Sequence, residues 1–260
     1  MKTLNNIDKK SKKRILITLA VSTLLLFALS AFLIKPLYIG IHANVLYRNT
    51  MLIPVLEMLI LVLENFAYGI CFAAVIYSVF RFSLKASVDT ISLCAGTLLF
   101  KNLSAFAADS VSAGYIDIHD LLLNLLWFSF DLIKLICVII ISIVLIKQFY
   151  KKDALTSPTS EKDKKLSVCD EILGKKFFFS KHNPLCTSAL ASALIILSTE
   201  LYSETRYYIA NGFFASFKYS LWMISDYVLD ILIACIIYLL SLYLFTHFHS
   251  KETGNTKKLS

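Results

Sequence analysis

Six long apolar stretches fill most of this 260-residue chain, and their length limits the folds open to it. They cover roughly residues 15–34, 51–80, 86–108, 119–146, 185–203 and 219–246. A helix needs about 20 apolar residues to cross the hydrocarbon core of a bilayer, and each stretch supplies close to that number or more. The strands of a membrane β-barrel are about 10 residues long and alternate in character, unlike these continuous runs. The sequence therefore predicts an all-α, polytopic membrane protein with six transmembrane helices.

The lysines and arginines between these stretches fall mainly on one side. The termini and the alternate loops on their side hold 20 of them, against four in the three remaining loops. Because basic residues concentrate on the cytoplasmic side, both termini are expected there. The helices then form three hairpins without a soluble domain. The predicted order is a basic cytoplasmic N-terminus (1–14), transmembrane helices 1–4 (15–146), a basic cytoplasmic loop (147–183), transmembrane helices 5–6 (184–247) and a cytoplasmic tail (248–260).

Local signals predict where two of the helices begin or end. The first apolar run, Ile15 to Ile34, is longer than the 7–15 apolar residues of a signal peptide, so we expect a retained helix. Pro36 follows that run and is expected to end it, because proline cannot continue the helical hydrogen bonding. Asn183 before Pro184 has the arrangement of an N-cap followed by proline at the first helical position, and it predicts the start of the fifth helix.

Acidic residues recur at one depth in the even-numbered stretches. In each, an acid lies 16 or 17 residues before the polar residue that ends the stretch, and these acids are Glu64, Asp131 and Asp230. A carboxylate inside a bilayer is costly and usually faces the interior of the helix bundle or a cavity. Three of them at a shared depth therefore predict a common polar layer.

The odd-numbered stretches add polar groups at the same level. Ser30, Lys101 and Glu200 each lie 16 residues after the cytoplasmic start of their stretch. At about 1.5 Å per residue, that is about 24 Å into a core of about 30 Å. Lys134 lies one turn deeper than Asp131. The predicted layer has four acids and two bases: Glu64, Lys101, Asp131, Lys134, Glu200 and Asp230.

Three functional interpretations follow from this layer. In the first, a transport or permease-type protein binds a cation, a proton or a polar solute at an outward-facing acidic site. Its predicted parts are binding acids (Glu64, Asp131, Glu200, Asp230), counter-ions that tune them (Lys101, Lys134) and acids at the pocket mouth (Glu57, Asp226). In the second, the charges are structural ion pairs of a non-catalytic assembly, immunity or signalling partner. A membrane enzyme ranks third, because the sequence lacks known catalytic motifs.

The expected partners follow from the basic cytoplasmic surface. The 147–183 loop mixes lysines with aromatic residues, which favours contact with anionic lipid headgroups. A protein partner at the same loop is the alternative. We expect no nucleic-acid partner, no cofactor, no metal site and no catalytic residue from the motifs present, since neither a phosphate-binding loop nor a zinc-protease helix motif occurs. The expected location is the plasma membrane of a bacterium.

Overall fold

The computed structural model describes residues 2–43, 52–81, 84–153, 183–210 and 228–247. These are helical apart from residues 114–117 and Asn183. No β-strand occurs among them, which confirms the all-α class for these ranges. The elements are α1 (Lys2–Leu29), a π-helical segment (Ser30–Ile34), α2 (Lys35–Ala43), α3 (Leu52–Arg81), α4 (Leu84–Ala113), α5 (Ile118–Asp153), α6 (Pro184–Ala210) and α7 (Val228–His247).

Five helical stretches within the described ranges are long and apolar enough to cross a membrane. They are Leu16–Ile41, Leu52–Phe80, Ser87–Val111, Ile118–Gln148 and Val228–His247. A further apolar helical stretch, Pro184–Leu197 of α6, is shorter than these five. These five to six helices are compatible with an integral membrane protein. The orientation of the termini stays a prediction.

The first membrane helix does not end at Pro36, so the predicted stop is wrong. The helix continues through Pro36 to Ala43, with the π-helical turn Ser30–Ile34 directly before it. In a regular α-helix the proline ring clashes with the carbonyl four residues earlier. The wider π turn, closed by the Lys35 N–H bonded to the Ser30 carbonyl, relaxes that restriction. The result places Lys35 inside the helix and not in a loop.

A tight turn joins α4 to α5 between the third and fourth predicted apolar stretches (86–108 and 119–146). Gly114 has φ of 74°, a left-handed conformation that favours glycine, and its N–H bonds to the Ser110 carbonyl at 3.0 Å. Asp117 then caps α5, because its carboxylate accepts a hydrogen bond from the His119 N–H at 2.8 Å. The connection is short enough to hold α4 and α5 side by side and antiparallel.

The predicted start of the fifth helix is confirmed. The Asn183 side-chain oxygen accepts hydrogen bonds from the N–H groups of Leu185 at 3.0 Å and Cys186 at 3.4 Å, and Pro184 is the first helical residue. Asparagine is among the best N-caps because its side chain satisfies donors that have no partner within the helix.

Asn183→Ala is therefore expected to destabilise the first turn of α6 by about 1 kcal/mol, which corresponds to about fivefold faster local amide exchange. Hydrogen–deuterium exchange of the peptide containing Leu185 and Cys186 measures this. Asn183→Asp, which keeps an acceptor, serves as the control. Equal exchange rates in the alanine variant and the unmodified protein would contradict the capping role.

Helix α3 is the centre of the described bundle. Every residue from 67 to 80 is buried, and α3 packs against α1, α4, α5 and α6. A helix that is apolar on all sides is expected at such a central position. Its aromatic residues stack across the core, with ring centroids 5.8 Å apart for Tyr68 and Phe72 and 6.2 Å apart for Phe72 and Tyr238 of α7. This position lets α3 contribute to contacts with several neighbours at one level.

Mostly small, polar side chains line the face that α4 turns toward α3, and the long side chain of Lys101 continues that face. They recur at alternating spacings of three and four residues: Ser87, Thr90, Cys94, Thr97, Lys101 and Ser104. Several of these side chains bridge the helices; for example, Ser78 Oγ lies 3.2 Å from Thr90 Oγ1 and Cys71 Sγ lies 3.2 Å from Thr97 Oγ1. Such interhelical hydrogen bonds contribute about 0.6 kcal/mol each in membrane proteins. They fix the register between α3 and α4.

Candidate functional site

A buried carboxylate is the centre of the candidate site. Asp131 of α5 is 3% exposed, yet both of its oxygens accept hydrogen bonds from other helices. The Tyr68 hydroxyl of α3 donates to Oδ1 at 2.9 Å, and the Asn102 amide of α4 donates to Oδ2 at 2.9 Å. Bonds to a charged acceptor are the stronger class, and they offset part of the loss of hydration.

Two lysines contact the same carboxylate. Lys101 Nζ lies 3.5 Å from Asp131 Oδ2, and Lys134 Nζ lies 3.7 Å from Asp131 Oδ1. Both ammonium groups also lie near the ring of Tyr68, at 4.9 Å and 5.9 Å from its centroid, within range of a cation–π interaction. Lys101 donates a hydrogen bond to the Tyr68 oxygen as well. We call these five residues (Tyr68, Lys101, Asn102, Asp131 and Lys134) the Asp131 cluster.

The helix register explains how this cluster forms. Asp131 and Lys134 are three residues apart on α5, a spacing that places their side chains side by side. Lys101 continues the polar face of α4 that contacts α3, and Asn102 is adjacent to it. Three helices therefore meet at one level, and each contributes at least one polar side chain.

A second ion pair lies between the first membrane helix and α3. Glu64 Oε1 is 2.9 Å from Lys35 Nζ and accepts a hydrogen bond from Ser30 Oγ at 3.0 Å. The side chain of Glu64 is 24% exposed and that of Lys35 31%, so this pair is more open than the Asp131 cluster. Ser30 and Lys35 lie at the two ends of the π turn, and both face the same carboxylate.

The two groups lie along one face of α3. Glu64 and Tyr68 are four residues apart, so they are neighbours one turn apart on that face. Glu57 lies seven residues before Glu64 on the same face, is exposed, and accepts a hydrogen bond from the Tyr38 hydroxyl of α2 at 2.9 Å. Helix α3 therefore carries polar side chains from its exposed end to the level at which Tyr68 contacts the buried Asp131 of α5.

The structure describes less of the other predicted site residues. Asp230 lies near the described start of α7 and is partly buried. Glu200 lies in α6, where the structure describes the backbone but not the side chain. Asp226 lies outside the described residues. The described contacts thus bring together Asp131, Lys101 and Lys134, and they join Glu64 to Lys35 beside them.

Sequence reasoning missed three residues of these contacts. Lys35 falls just beyond the first predicted stretch (15–34), because Pro36 is expected to end that helix. Tyr68 is signalled by its spacing of four from Glu64, and Asn102 by its position next to Lys101, but neither carries a charge that marks it in an apolar stretch. The described contacts hold three ammonium groups against two carboxylates, whereas the sequence predicted more acids than bases.

Two further observations bear on what the site binds. Within the described ranges, no group of three or more histidine, cysteine or acidic side chains is arranged to hold a metal ion. Two open grooves on the described surface, one between Phe106 and Ile116 and one along α1 between Ile17 and Leu25, do not border the Asp131 cluster. The cluster's own chemistry is ion pairing and hydrogen bonding.

No protein-family model matches this chain, and no curated protein or solved structure matches it either. A functional conclusion has to come from the site, since a helical membrane layout is shared by proteins of many functions.

Proposed function

We propose that this chain is a membrane transport or permease-type protein, with an intramembrane charged site for a proton, a cation or a small polar solute. The observation that carries the proposal is the Asp131 carboxylate, 3% exposed and in contact with the ammonium groups of Lys101 and Lys134. Ionisable side chains inside membrane helices are rare, and they commonly mark ion pathways and proton relays.

The energetic cost of these charges supports the proposal. Insertion of a charged residue at the centre of a membrane helix costs about 2.5–3.5 kcal/mol, and five charges meet here or nearby. Apolar side chains of similar volume can hold helices together equally well or better. A site that binds a charged species needs charged side chains, whereas helix packing alone does not need them.

Each residue has a proposed part in the site. Glu64 and Asp131 are the acids that respond to the transported species, and Lys101 and Lys134 adjust the charge around Asp131. Glu200 on α6 and Asp230 on α7 complete the set of acids. Glu57 and Asp226 form the mouth of the pathway, and the plasma membrane is the proposed location.

The test is flux across reconstituted vesicles. We expect protein-containing vesicles to collapse an imposed proton, sodium or potassium gradient faster than protein-free vesicles, as followed by an internal dye that is selective for the cation under test. Asp131→Asn should lower that rate by about tenfold or more, because it removes the charge that both lysines contact. Asp120→Asn is the matched control, since Asp120 is an exposed acid on the same helix and should leave the rate unchanged.

A second candidate function is favoured by a specific observation. The Asp131 carboxylate already receives two hydrogen bonds and two ammonium contacts from within the bundle. This suits a structural ion cluster in a non-catalytic membrane partner, with the 147–183 loop contacting lipid headgroups or another protein.

The two candidates differ in the behaviour of a variant without the cluster's charges. The triple change Lys101→Met, Asp131→Asn and Lys134→Met should leave a transporter folded but inactive. In a structural partner, the same change should keep both the fold and the interaction, whereas removal of residues 155–170 should end the interaction. Vesicles that carry the unmodified protein but show no flux of any of the three cations would contradict transport of a proton or a monovalent cation.

A further inference from the structure

Tyr68 of α3 contacts both the buried carboxylate and the two lysines that lie beside it. We propose that the Tyr68 hydroxyl is a positioning group, which keeps Lys101 from donating a direct hydrogen bond to Asp131 and so leaves the carboxylate able to bind a positively charged ligand. This rests on the proposed function, and it deepens that function by naming the charge of the ligand and a residue that sets its affinity.

The distances around Asp131 are the first step. A hydrogen bond from an ammonium group to a carboxylate is about 2.7–2.9 Å long. Lys101 Nζ and Lys134 Nζ lie 3.5 Å and 3.7 Å from the Asp131 oxygens, so both ion pairs are longer than such a bond. The groups that donate to Asp131 at 2.9 Å are the uncharged hydroxyl of Tyr68 and the uncharged amide of Asn102. Neutral donors therefore hold the carboxylate in place.

The hydrogen bonds of Tyr68 explain the position of Lys101. The Tyr68 oxygen accepts a hydrogen bond from Lys101 Nζ, and its own proton is donated to Asp131 Oδ1. The hydroxyl thus stands between the ammonium group and this carboxylate oxygen, and it takes up one of the three N–H donors of the lysine. Without the hydroxyl, Lys101 has no acceptor at that point other than Asp131 itself, and a direct ion pair forms.

The ring of Tyr68 is fixed by packing, so the hydroxyl cannot turn away. The residue is 5% exposed, and its ring meets Phe27 of α1 edge-on and stacks on Phe72, each at a centroid distance of 5.8 Å. Both lysine ammonium groups lie near the ring, within cation–π range. Phenylalanine at this position keeps the ring and its contacts and removes only the hydroxyl. Tyr68→Phe therefore isolates the proposed role.

The charge of the ligand follows from the same arrangement. An anion that approached the lysines would meet the negative charge of Asp131 and the negative face of the Tyr68 ring, which both ammonium groups already adjoin. A positively charged ligand meets a carboxylate whose ion pairs are longer than direct hydrogen bonds, and it has only to compete with them. Asp131 carries one negative charge, which matches a proton or a monovalent metal cation.

The first measurement is the concentration dependence of flux in reconstituted vesicles, with protons, sodium and potassium each tested. In Tyr68→Phe the cation concentration at half-maximal flux should rise about tenfold with little change in the maximal rate, because the ligand must now displace a direct Lys101 bond. Lys101→Met added to Tyr68→Phe should reverse that rise. A purely structural role would lower the maximal rate and leave the half-maximal concentration unchanged. Tyr115→Phe, at an exposed tyrosine, is the matched control.

The second measurement locates Lys101 without any need for flux. Solid-state NMR of the full-length protein in lipid bilayers follows the dipolar coupling between aspartate ¹³Cγ and lysine ¹⁵Nζ. The part of the signal that is lost in Lys101→Met reports the pair with Asp131. In Tyr68→Phe this coupling should strengthen by about 1.5-fold or more, because it varies with the inverse cube of a distance that shortens to a direct hydrogen bond.

The outcomes separate this inference from the transport proposal. If the unmodified protein carries a cation and Tyr68→Phe has the same half-maximal concentration, the inference is overturned and transport stands. An unchanged coupling between Lys101 and Asp131 in Tyr68→Phe also overturns it. A protein without cation flux, in which the coupling still strengthens in Tyr68→Phe, supports the positioning role of Tyr68 but contradicts both the cationic ligand and its transport.

Discussion

Asp131→Ala is expected to lower the free energy of unfolding by about 3–5 kcal/mol, the largest effect of any single charge removal among the ion pairs described above. The change leaves the Lys101 and Lys134 ammonium groups close together without the carboxylate that both contact. It also removes the acceptor for the Tyr68 hydroxyl and the Asn102 amide, which are buried. Removal of one member of a buried charge group costs more than the group contributes as a whole.

The same reasoning predicts recovery when the lysines are removed too. In Lys101→Met, Asp131→Leu and Lys134→Met combined, the apolar side chains fill similar volumes and no buried charge is left unbalanced in the cluster. We expect this triple variant to regain most of the stability lost in Asp131→Ala. Each lysine change alone should cost less than the aspartate change, because the other lysine keeps its carboxylate.

Equilibrium unfolding in mixed micelles measures these free energies, and a double-mutant cycle separates the coupling of Asp131 to each lysine. Asp120→Ala on the same helix is the control and should change stability by about 0.5 kcal/mol or less, because Asp120 is exposed. An Asp131→Ala variant as stable as this control would show that the ion cluster does not hold α3, α4 and α5 together.

The helices were predictable from sequence because they depend on local chain properties. Continuous apolar runs longer than about 20 residues locate membrane helices without knowledge of their neighbours. Counting residues from the helix ends also placed Glu64, Lys101 and Asp131 at a related depth, since the rise per residue of a helix is constant. The predicted end at Pro36 failed because proline only blocks α-helical bonding, and a π turn changes that bonding.

The contacts of the site depend on helix arrangement, which length and depth do not determine. Two lysines share one carboxylate because α3, α4 and α5 meet at that level, and no count along a single helix reveals it. A partial signal was present in α4, where polar residues repeat at spacings of three and four from Ser87 to Ser104. That pattern identifies the face toward a neighbouring helix. The identity of the neighbour comes from the packing.

Gly69→Leu is expected to destabilise the protein by about 1–3 kcal/mol or more. Of the four described glycines, Gly69 is the one at which an added Cβ would meet another helix, and that helix is α7. A Cβ added there would lie 2.9 Å from Ser241 Oγ and 3.5 Å from the Ile237 carbonyl. A leucine would have to push the two helices apart. The neighbouring Phe72–Tyr238 stack would then separate as well, and its rings are part of the core.

Gly69→Ala gives a graded version of the same test. The closest atom to the added methyl group is the Ser241 hydroxyl, which now donates to the Ile237 carbonyl at 2.8 Å. A hydroxyl can move a few tenths of an ångström, so the cost should stay below about 1 kcal/mol. Ser241→Ala removes that hydroxyl and should restore stability in combination with Gly69→Ala. Failure of this rescue would mean that the Ile237 backbone, and not the hydroxyl, sets the limit.

Gly96 of α4 provides the matched control for the leucine change. Nothing lies within 4 Å of a Cβ built at Gly96, so Gly96→Leu meets open space. Because glycine is a weak helix former, this control should gain about 0.5–1 kcal/mol and not lose stability. Thermal unfolding in detergent compares the two variants. Equal behaviour of Gly69→Leu and Gly96→Leu would contradict a close α3–α7 contact. A loss confined to Gly69 would show that the close contact between α3 and α7 contributes to stability.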